Sequence, residues 1–269
     1  MAIVKKGTVL ITGTIQNISF YTMQGHDKVI VRTKGGPTKS QIEKSASFAK
    51  LRQNNNEWKG CTLMASAIRN AMGEVKDLAD FPVIGTLNGL AKKIQAVDTE
   101  HEQGQRSLCL SRCKELIGGL NVSRKQVFES VLPVPIDYTI DREKEQAIVT
   151  IPAIDTALFL HNSLSLPWFR IVMVLGAVSD LVALEEKKGY RETDWHAAGR
   201  RASVTTDWFP TSGIIAAQSH TLNLDAGAVP MTDSVTLIVS IGIEFGKTGT
   251  DEKPTGVKYA GCGKIAKTS

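Results

Sequence analysis

Apolar and polar residues alternate most clearly near the C-terminus, in residues 235–245. The apolar set there occupies every second position: Val235, Leu237, Val239, Ile241, Ile243 and Phe245. This period predicts a strand with one buried face. Further elements are predicted as strands at 145–151, 168–179, 203–209, 214–224 and 257–266, a helix at 154–162 and a long polar hairpin loop at 246–256. Short strands with irregular connections are typical of an antiparallel sandwich with jelly-roll-like character.

The central part of the chain instead shows apolar residues at spacings of three and four. One such stripe follows a helix predicted from Asn56, its N-cap, to a C-terminal cap at Gly73. Its members are Trp58, Cys61, Ala65, Ile68 and Met72. Further helices are predicted at 85–97, at 104–117 and from Ser123. Together they predict a small helical bundle.

The first 36 residues are rich in β-branched and aromatic residues and contain several glycines. They predict an ISFY strand at 18–21 and a KVIVRT strand at 28–33, joined at a Gln24-Gly25 turn. The whole sequence therefore predicts an α+β fold. Its three predicted parts are a β-hairpin arm at 1–36, a helical region at 37–132 and an antiparallel β-domain at 133–269.

The charge of the chain is unevenly distributed. The formal net charge is +5, from 32 basic and 27 acidic residues. Residues 1–75 contain eleven basic and four acidic residues, a net charge of +7, which leaves −2 for the remainder. A basic front favours an acidic partner, such as nucleic acid, a membrane surface or an acidic protein face. A solvated basic surface and head-to-tail packing of the basic front against the acidic back are the alternatives.

The four cysteines predict neither a disulfide framework nor a metal site. Cys109 and Cys113 lie one helical turn apart on the predicted third helix, where we expect both to be buried. Cys262 stands between two glycines in a predicted strand, where a small packed residue is the simplest interpretation. No second pair of ligands with metal-binding spacing accompanies them, so we predict no metal and no other cofactor.

Sequence patterns for enzyme chemistry are weak. The two Gly-Lys pairs lack the first glycine of a phosphate-binding loop, and no G-x-S-x-G elbow occurs. Glu192, Asp194 and His196 would share one face of a strand, but a charged loop is the simpler interpretation. A sugar-binding platform is the other candidate, formed by Trp168, Trp195 and Trp208. A packed strand end is the simpler interpretation of Trp208-Phe209-Pro210, and we predict a protein without enzymatic activity.

Targeting segments are not evident in the sequence. The apolar run near the N-terminus is too short for a signal-peptide core. The most apolar longer stretch, 166–184, is interrupted by Arg170 and Asp180, so we expect no membrane span. A cytoplasmic location is the default expectation, with export without a cleaved leader as the alternative.

Two segments carry a family resemblance. The front has the form K-K-G-T-x-x-x-T-G-x-I-x-N-x-x-F-Y from Lys5 to Tyr21. The back has S-I-G-I-E-F-G at 240–246, followed by V-K-Y-A-G-x-G-K-I at 257–265. This pattern resembles an uncharacterised family of proteins of similar length from Bacteroidota. The resemblance covers most of the chain and implies no activity, because the family has no established function. Its marked segments are strand-like ends and not a catalytic cluster.

These observations favour a structural subunit that assembles with copies of itself into a filament, tube or shell. An isolated hairpin is marginally stable in water, so the arm must pair with another sheet. That sheet is either the C-terminal sheet of its own chain or the sheet edge of a neighbouring subunit, reached by strand addition. The predicted apolar contacts are Ile15, Ile18, Phe20, Tyr21, Tyr259 and Ile265. The predicted electrostatic guides are Lys5, Lys6, Arg32 and Lys34. The alternative is a nucleic-acid-binding accessory protein that uses the same basic front.

Overall fold

The structure is a computed structural model, which describes residues 2–4, 12–23, 29–33, 35–184, 189–224 and 229–269. The chain forms two compact units, Met1–Arg52 and Gln53–Ser269. It combines several antiparallel sheets with a few helices, which confirms the mixed helix and sheet composition expected of an α+β protein. The predicted turn at Gln24-Gly25 lies outside the described residues.

The first unit contains a four-stranded antiparallel sheet. Its strands are β1 (Ala2–Val4), β2 (Gly13–Ile15), β3 (Ile18–Tyr21) and β4 (Val29–Thr33). The strand order is β1-β4-β3-β2, so the predicted ISFY and KVIVRT strands do pair, as β3 and β4, but within a larger sheet than a hairpin. A short helix, α1 (Lys39–Lys44), follows and begins with a capping box between Thr38 and Gln41.

Four further helices follow along the chain. They are α2 (Ala49–Ala71), α3 (Ile84–Ala96), α4 (Phe128–Val131) and α5 (Thr156–Phe159). The sequence placed α3 correctly, but α2 begins seven residues before the predicted N-cap Asn56. Trp58 is 52% exposed and does not belong to the buried face of α2, whereas the other four residues of the predicted apolar stripe are buried. Ser123 caps no helix: its hydroxyl donates to the carbonyls of Leu78 and Gly261.

The predicted helix at 104–117 is wrong. This segment forms two 3-10 turns, Leu110–Arg112 and Lys114–Leu116. Its shape depends on a distant residue, because the backbone N–H and the hydroxyl of Ser111 both donate to the carboxylate of Asp180. Cys113 is buried as expected, but Cys109 is only partly buried and Leu116 is exposed. A tertiary hydrogen bond therefore replaces the i→i−4 bonds of a helix here.

The second unit contains the remaining strands. They are β5 (Asp137–Asp141), β6 (Gln146–Ile151), β7 (Ile154–Asp155), β8 (Trp168–Ser179), β9 (Leu181–Ala183), β10 (Tyr190–Glu192), β11 (Arg201–Thr205), β12 (Phe209–Pro210), β13 (Ile214–Ile215), β14 (Gln218–Asn223), β15 (Val235–Thr248) and β16 (Pro254–Thr268). The central sheet has the order β11-β8-β15-β16, with β12 also paired to β8. A second sheet has the order β14-β6-β5, and the short pairs β10-β9 and β13-β7 complete the set.

The central sheet is covered on both faces, which corrects the prediction of one buried face for residues 235–245. Alternate residues of β8 and β15, such as Met173 and Val239, pack in one cluster with side chains of β6 and β14. The intervening residues, such as Val174 and Ile238, pack in another cluster with α2 and α3. The two clusters give the second unit two adjacent cores on opposite faces of a single sheet.

Glycines of the central sheet let a 3-10 segment, Gly73–Leu78, lie directly on its backbone. A Cβ atom added to Gly242 would lie 2.4 Å from Leu78 Cδ1, and one added to Gly263 would lie 2.7 Å from Val75 Cγ1. Gly73 itself has φ +52, so it ends α2 in the left-handed conformation that the sequence predicted for this cap. Side chains at these sheet positions would separate the segment from the sheet.

The predicted long loop at 246–256 is also corrected. β15 and β16 continue their ladder as far as Thr248 and Pro254, so the connection is short. Between Glu244 and Gly246 the register shifts, and a bulge on β16 absorbs the extra residues opposite them. Residues 246–256 are polar, glycine or proline throughout, so the sequence shows no apolar alternation that would have indicated the strand there.

Two buried hydroxyls in the central sheet are expected to reduce stability. Thr236 and Ser240 are fully buried on the helix-facing side of β15, and neither side-chain oxygen has a hydrogen-bond partner among the described residues. Thr236→Val should therefore raise the free energy of unfolding by about 1 kcal/mol, because an unpaired buried hydroxyl is replaced by a methyl group of similar size.

Chemical denaturation monitored by circular dichroism measures this effect. The matched control is Thr206→Val, since the Thr206 hydroxyl accepts the N–H of Ile171 at 3.0 Å and donates to the carbonyl of Asp207 at 2.9 Å. That variant should lose about 1–2 kcal/mol. Equal losses in both variants would show that the Thr236 hydroxyl is paired in solution.

Candidate assembly surface

One face of the N-terminal sheet is made almost entirely of apolar side chains. The register pairs Ile15 with Ile18 and Phe20 with Val31. Residues two apart on a strand share a face, so these side chains and that of Val29 lie on the same side of the sheet. The sequence analysis identified the first three but missed the two valines, which become neighbours only through the pairing of β3 with β4.

The side chains of this apolar face are exposed or only half-buried. Ile15 is 56% exposed and Ile18 is 42% exposed, while Phe20, Val29 and Val31 are only half-buried. Full burial of one such side chain would stabilise the protein by roughly 1.5–3 kcal/mol of hydrophobic free energy, which is absent while the side chain is in contact with water. An exposed apolar sheet face of this kind is a candidate interaction surface.

The outermost turn of this sheet is a tight hairpin. Gln16 and Asn17 join β2 to β3, and Gln16 has φ +52, the left-handed conformation typical of two-residue hairpin turns. Ile15 and Ile18 flank the turn, so the tip presents two exposed isoleucines side by side. β2 is an edge strand whose only described neighbour is β3. Residues 12–23 carry no charge.

The opposite face of the N-terminal sheet carries Arg32 and Tyr21. The guanidinium of Arg32 lies 5.6 Å from the centre of the Tyr21 ring, a cation–π contact between neighbouring strands. Ile30, on the same face, is buried. Tyr21 therefore lies on the opposite side of the sheet from Ile15, Ile18 and Phe20. Three predicted electrostatic guides, Lys5, Lys6 and Lys34, lie outside the described residues.

The two predicted contacts on the C-terminal strand differ from each other. Tyr259 is 65% exposed with φ +62, because it lies in the β16 bulge. Ile265 is fully buried against the helices, so its assignment to an assembly surface is wrong. The sheet edge beside it is also occupied: Ile265 N–H donates to the carbonyl of Leu120, and Val122 N–H donates to that of Gly263. A neighbouring strand cannot pair at that part of β16.

The second unit contains a groove of about 850 Å³ between α2 and the β9–β10 ribbon. Its lining residues are Leu63, Ser66, Ala67, Asn70, Leu181, Val182, Tyr190, Arg191, Glu192, Thr193 and Trp195. Leu63 is 41% exposed and Trp195 is 69% exposed, so the groove presents apolar surface to solvent. β10 pairs only with β9 among the described strands and therefore offers a second free edge.

Tyr190 fixes the position of β10 against α2. Its ring packs so closely on Gly60 that a Cβ atom added there would lie 2.5 Å from Tyr190 Cζ. The Tyr190 hydroxyl donates to the carbonyl of Arg106 at 2.8 Å. Burial raises the pKa of this hydroxyl to about 12, so it stays a donor over the physiological pH range. The strand edge is therefore held in place by the core beneath it.

The three residues considered for acid–base chemistry do not converge. Glu192 and His196 are exposed, whereas Asp194 is buried and structural. One carboxylate oxygen of Asp194 accepts both the N–H and the hydroxyl of Thr232 at 3.0 Å, and the other accepts the N–H of Ala197. Burial alone would raise the pKa of Asp194, but these hydrogen bonds together lower it. The trio does not form a site.

The remaining chemical candidates also have structural roles. Burial raises the pKa of the Cys113 thiol to about 11 and that of Cys262 to about 12, so both are neutral thiols at physiological pH. Among the described residues no group of three His, Cys, Asp or Glu side chains could hold a metal ion. The Trp208 ring packs against Gly246 and beneath the Arg170 guanidinium, so it is not a free sugar platform.

No helix within the described residues is long and apolar enough to cross a membrane. Comparison of the chain with protein-family models, with curated proteins and with solved structures gives no match. Two surfaces are the candidates for a functional role, the apolar face of the N-terminal sheet and the groove beside α2.

Proposed function

We propose that this protein is a non-enzymatic structural subunit that assembles with copies of itself through its N-terminal arm. The observation that carries the proposal is the apolar face of the N-terminal sheet, on which none of the five apolar side chains identified above is buried. The face that carries Ile30 is already covered, but the apolar side chains of the other face would gain hydrophobic free energy if a second surface covered them. A neighbouring subunit provides that cover in an assembly.

The form of the assembly follows from the position of this surface. An arm that binds a different surface on the next subunit makes a heterologous contact, and repeated contacts of this type produce rings, tubes or filaments. The free edge of β2 allows the contact to include strand addition, with backbone hydrogen bonds supplementing the apolar burial. Arg32 and the other basic residues of the arm would orient the approach.

Charge substitution at the hairpin tip tests this function. Ile15→Asp/Ile18→Asp should convert the assembled protein into a particle with the mass of one protomer, because burying two carboxylates in an apolar contact costs several kcal/mol. Light scattering after size-exclusion chromatography measures the mass, and electron microscopy shows the shape. The full-length chain is used throughout.

The matched control is Leu158→Asp/Ile214→Asp, which places two charges on exposed apolar residues of the second unit. This control should assemble like the unmodified protein. An unmodified protein that has the mass of one protomer at all concentrations would disprove the proposal. Assembly of the Ile15→Asp/Ile18→Asp variant would show that the arm is not the connector.

A nucleic-acid-binding accessory protein is the second candidate. The contact of Arg32 with Tyr21 favours it, because cationic and aromatic side chains on an exposed sheet can bind a phosphate and stack a base. Salt separates the two functions. Binding to a single-stranded oligonucleotide should weaken steeply between about 50 and 200 mM salt, because binding releases counterions from the nucleic acid. Self-assembly through apolar contacts should persist over the same range.

A further inference from the structure

We infer that the groove between α2 and the β9–β10 ribbon is the acceptor site for the β2–β3 hairpin tip of a second copy of this chain. This inference rests on the proposed self-assembly and identifies the surface that the arm binds. Both surfaces expose apolar side chains to water: Ile15 and Ile18 at the tip, and Leu63 and Trp195 in the groove. Joining the two surfaces would remove all four side chains from water.

Charge also matches between the two surfaces. Residues 12–23 carry no charged side chain. The charged side chains that line the groove are Arg191 and Glu192, one of each sign. A neutral groove does not select a nucleic acid, which needs a surplus of cations. It does suit an uncharged apolar hairpin whose Gln16 and Asn17 can hydrogen-bond to polar groups at the rim such as Ser66 and Asn70.

The backbone edges match as well. β2 and β10 are both three-residue edge strands, and each pairs with a single described strand. Placing β2 of one copy beside β10 of the next would join two short sheets across the contact, with α2 as the opposite wall. Peptide strands bind other proteins in this way, between a strand edge and a helix. The β16 edge offers less, because residues 119–122 and the bulge at Tyr259 interrupt it.

Substitution of a groove residue gives the first test. Leu63→Lys should weaken assembly about tenfold or more, since it places a charge on the apolar wall that receives the tip. The matched control is Trp58→Lys. Trp58 lies on the same helix with 52% exposure, but it does not line the groove. The dissociation constant of the full-length chain, from sedimentation at several concentrations, should change for Leu63→Lys and not for Trp58→Lys.

Disulfide trapping between copies gives the second test. One chain carries Ile15→Cys, another carries Asn70→Cys, and the mixture is treated with oxidised glutathione as the oxidant. A disulfide between the two chains should form in high yield. The control mixture replaces Asn70→Cys with Leu158→Cys, an exposed position away from the groove, and should give little cross-linking.

The outcomes separate this inference from the proposed function. If the protein assembles but Leu63→Lys has no effect and no Ile15–Asn70 link forms, the groove is not the acceptor, and the arm remains the connector. If the protein never assembles, both proposals fail. A link that forms only when both cysteines are in one monomeric chain would also overturn the inference, because the tip would then cover its own groove.

Discussion

Gly176→Ala is expected to lower the free energy of unfolding by about 3 kcal/mol, because overpacking against fixed backbone cannot be relieved by a rotamer change. Gly176 lies in β8, where the end of α2 crosses the sheet. A Cβ atom there would lie 2.3 Å from the carbonyl oxygen of Ala71 and 2.7 Å from its Cα atom. The substitution must therefore move the helix away from the sheet.

The control for this prediction is Gly89→Ala, which should have the opposite sign. Gly89 lies on the exposed side of α3, and no atom lies within 4 Å of an added Cβ. Alanine is the better helix former, so this variant should gain about 0.5–1 kcal/mol. Urea denaturation measures both. A Gly176→Ala protein as stable as the unmodified one would show that α2 is not in close contact with β8.

Glu57→Ala is expected to cost about 3 kcal/mol at neutral pH, since it removes the carboxylate from a buried polar network. Glu57 is 1% exposed. One oxygen accepts the N–H of Gly104 at 3.0 Å, and the other accepts the ammonium of Lys92 at 2.9 Å. Its loss leaves the Gly104 N–H buried without this partner. Lys92 is half-exposed and retains much of its hydration, which limits what its ion pair with Glu57 contributes to stability.

The pH dependence of the free energy of unfolding shows whether the charge of Glu57 is responsible for the loss of stability. Burial would raise the pKa of Glu57, but the hydrogen bond from Gly104 and the contacts with Lys92 and Arg106 outweigh it and hold the pKa below its ordinary value of 4.5. Stability from a lowered carboxyl pKa is fully present above pH 4.5 and is lost as the pH falls through the lowered value. The difference in the free energy of unfolding between the unmodified protein and Glu57→Gln should therefore shrink as the pH falls from 4.5 through the lowered pKa.

An exposed ion pair supplies the comparison for Glu57. Glu129 accepts the ammonium of Lys264 at 2.7 Å, but its side chain is 54% exposed. Glu129→Gln should therefore change stability by about 0–1 kcal/mol. If Glu57→Gln costs no more than this at neutral pH, the Glu57 carboxylate does not organise the segment around Gly104.

The proposed assembly and these stability predictions concern different parts of the molecule. Gly176 and Glu57 stabilise the second unit. Tyr190 of β10 packs on Gly60 of α2, so the position of β10 at the groove depends on that of α2. Variants that loosen α2 should weaken assembly indirectly, which is why the groove test uses an exposed residue, Leu63. Assembly measurements on Gly176→Ala would report the stability of the acceptor and not the contact itself.

Local periodicity in the sequence was sufficient for the elements whose shape depends on their own residues. The alternation at 235–245 identified β15, and the spacing of Cys61, Ala65 and Ile68 identified the buried face of α2. The exposed isoleucines of the arm were also identifiable, since a short apolar hairpin cannot bury both faces alone. These features follow from the order of neighbouring residues.

Only the tertiary structure decided where distant segments meet. The burial of Ile265, the 3-10 turns around Ser111 and the cover over both faces of β15 depend on residues far away in the chain. The groove likewise joins Leu63 to Trp195, which are separated by more than a hundred positions. Periodicity describes how a residue faces within its own element, but the partner on that face is fixed by packing of the whole chain.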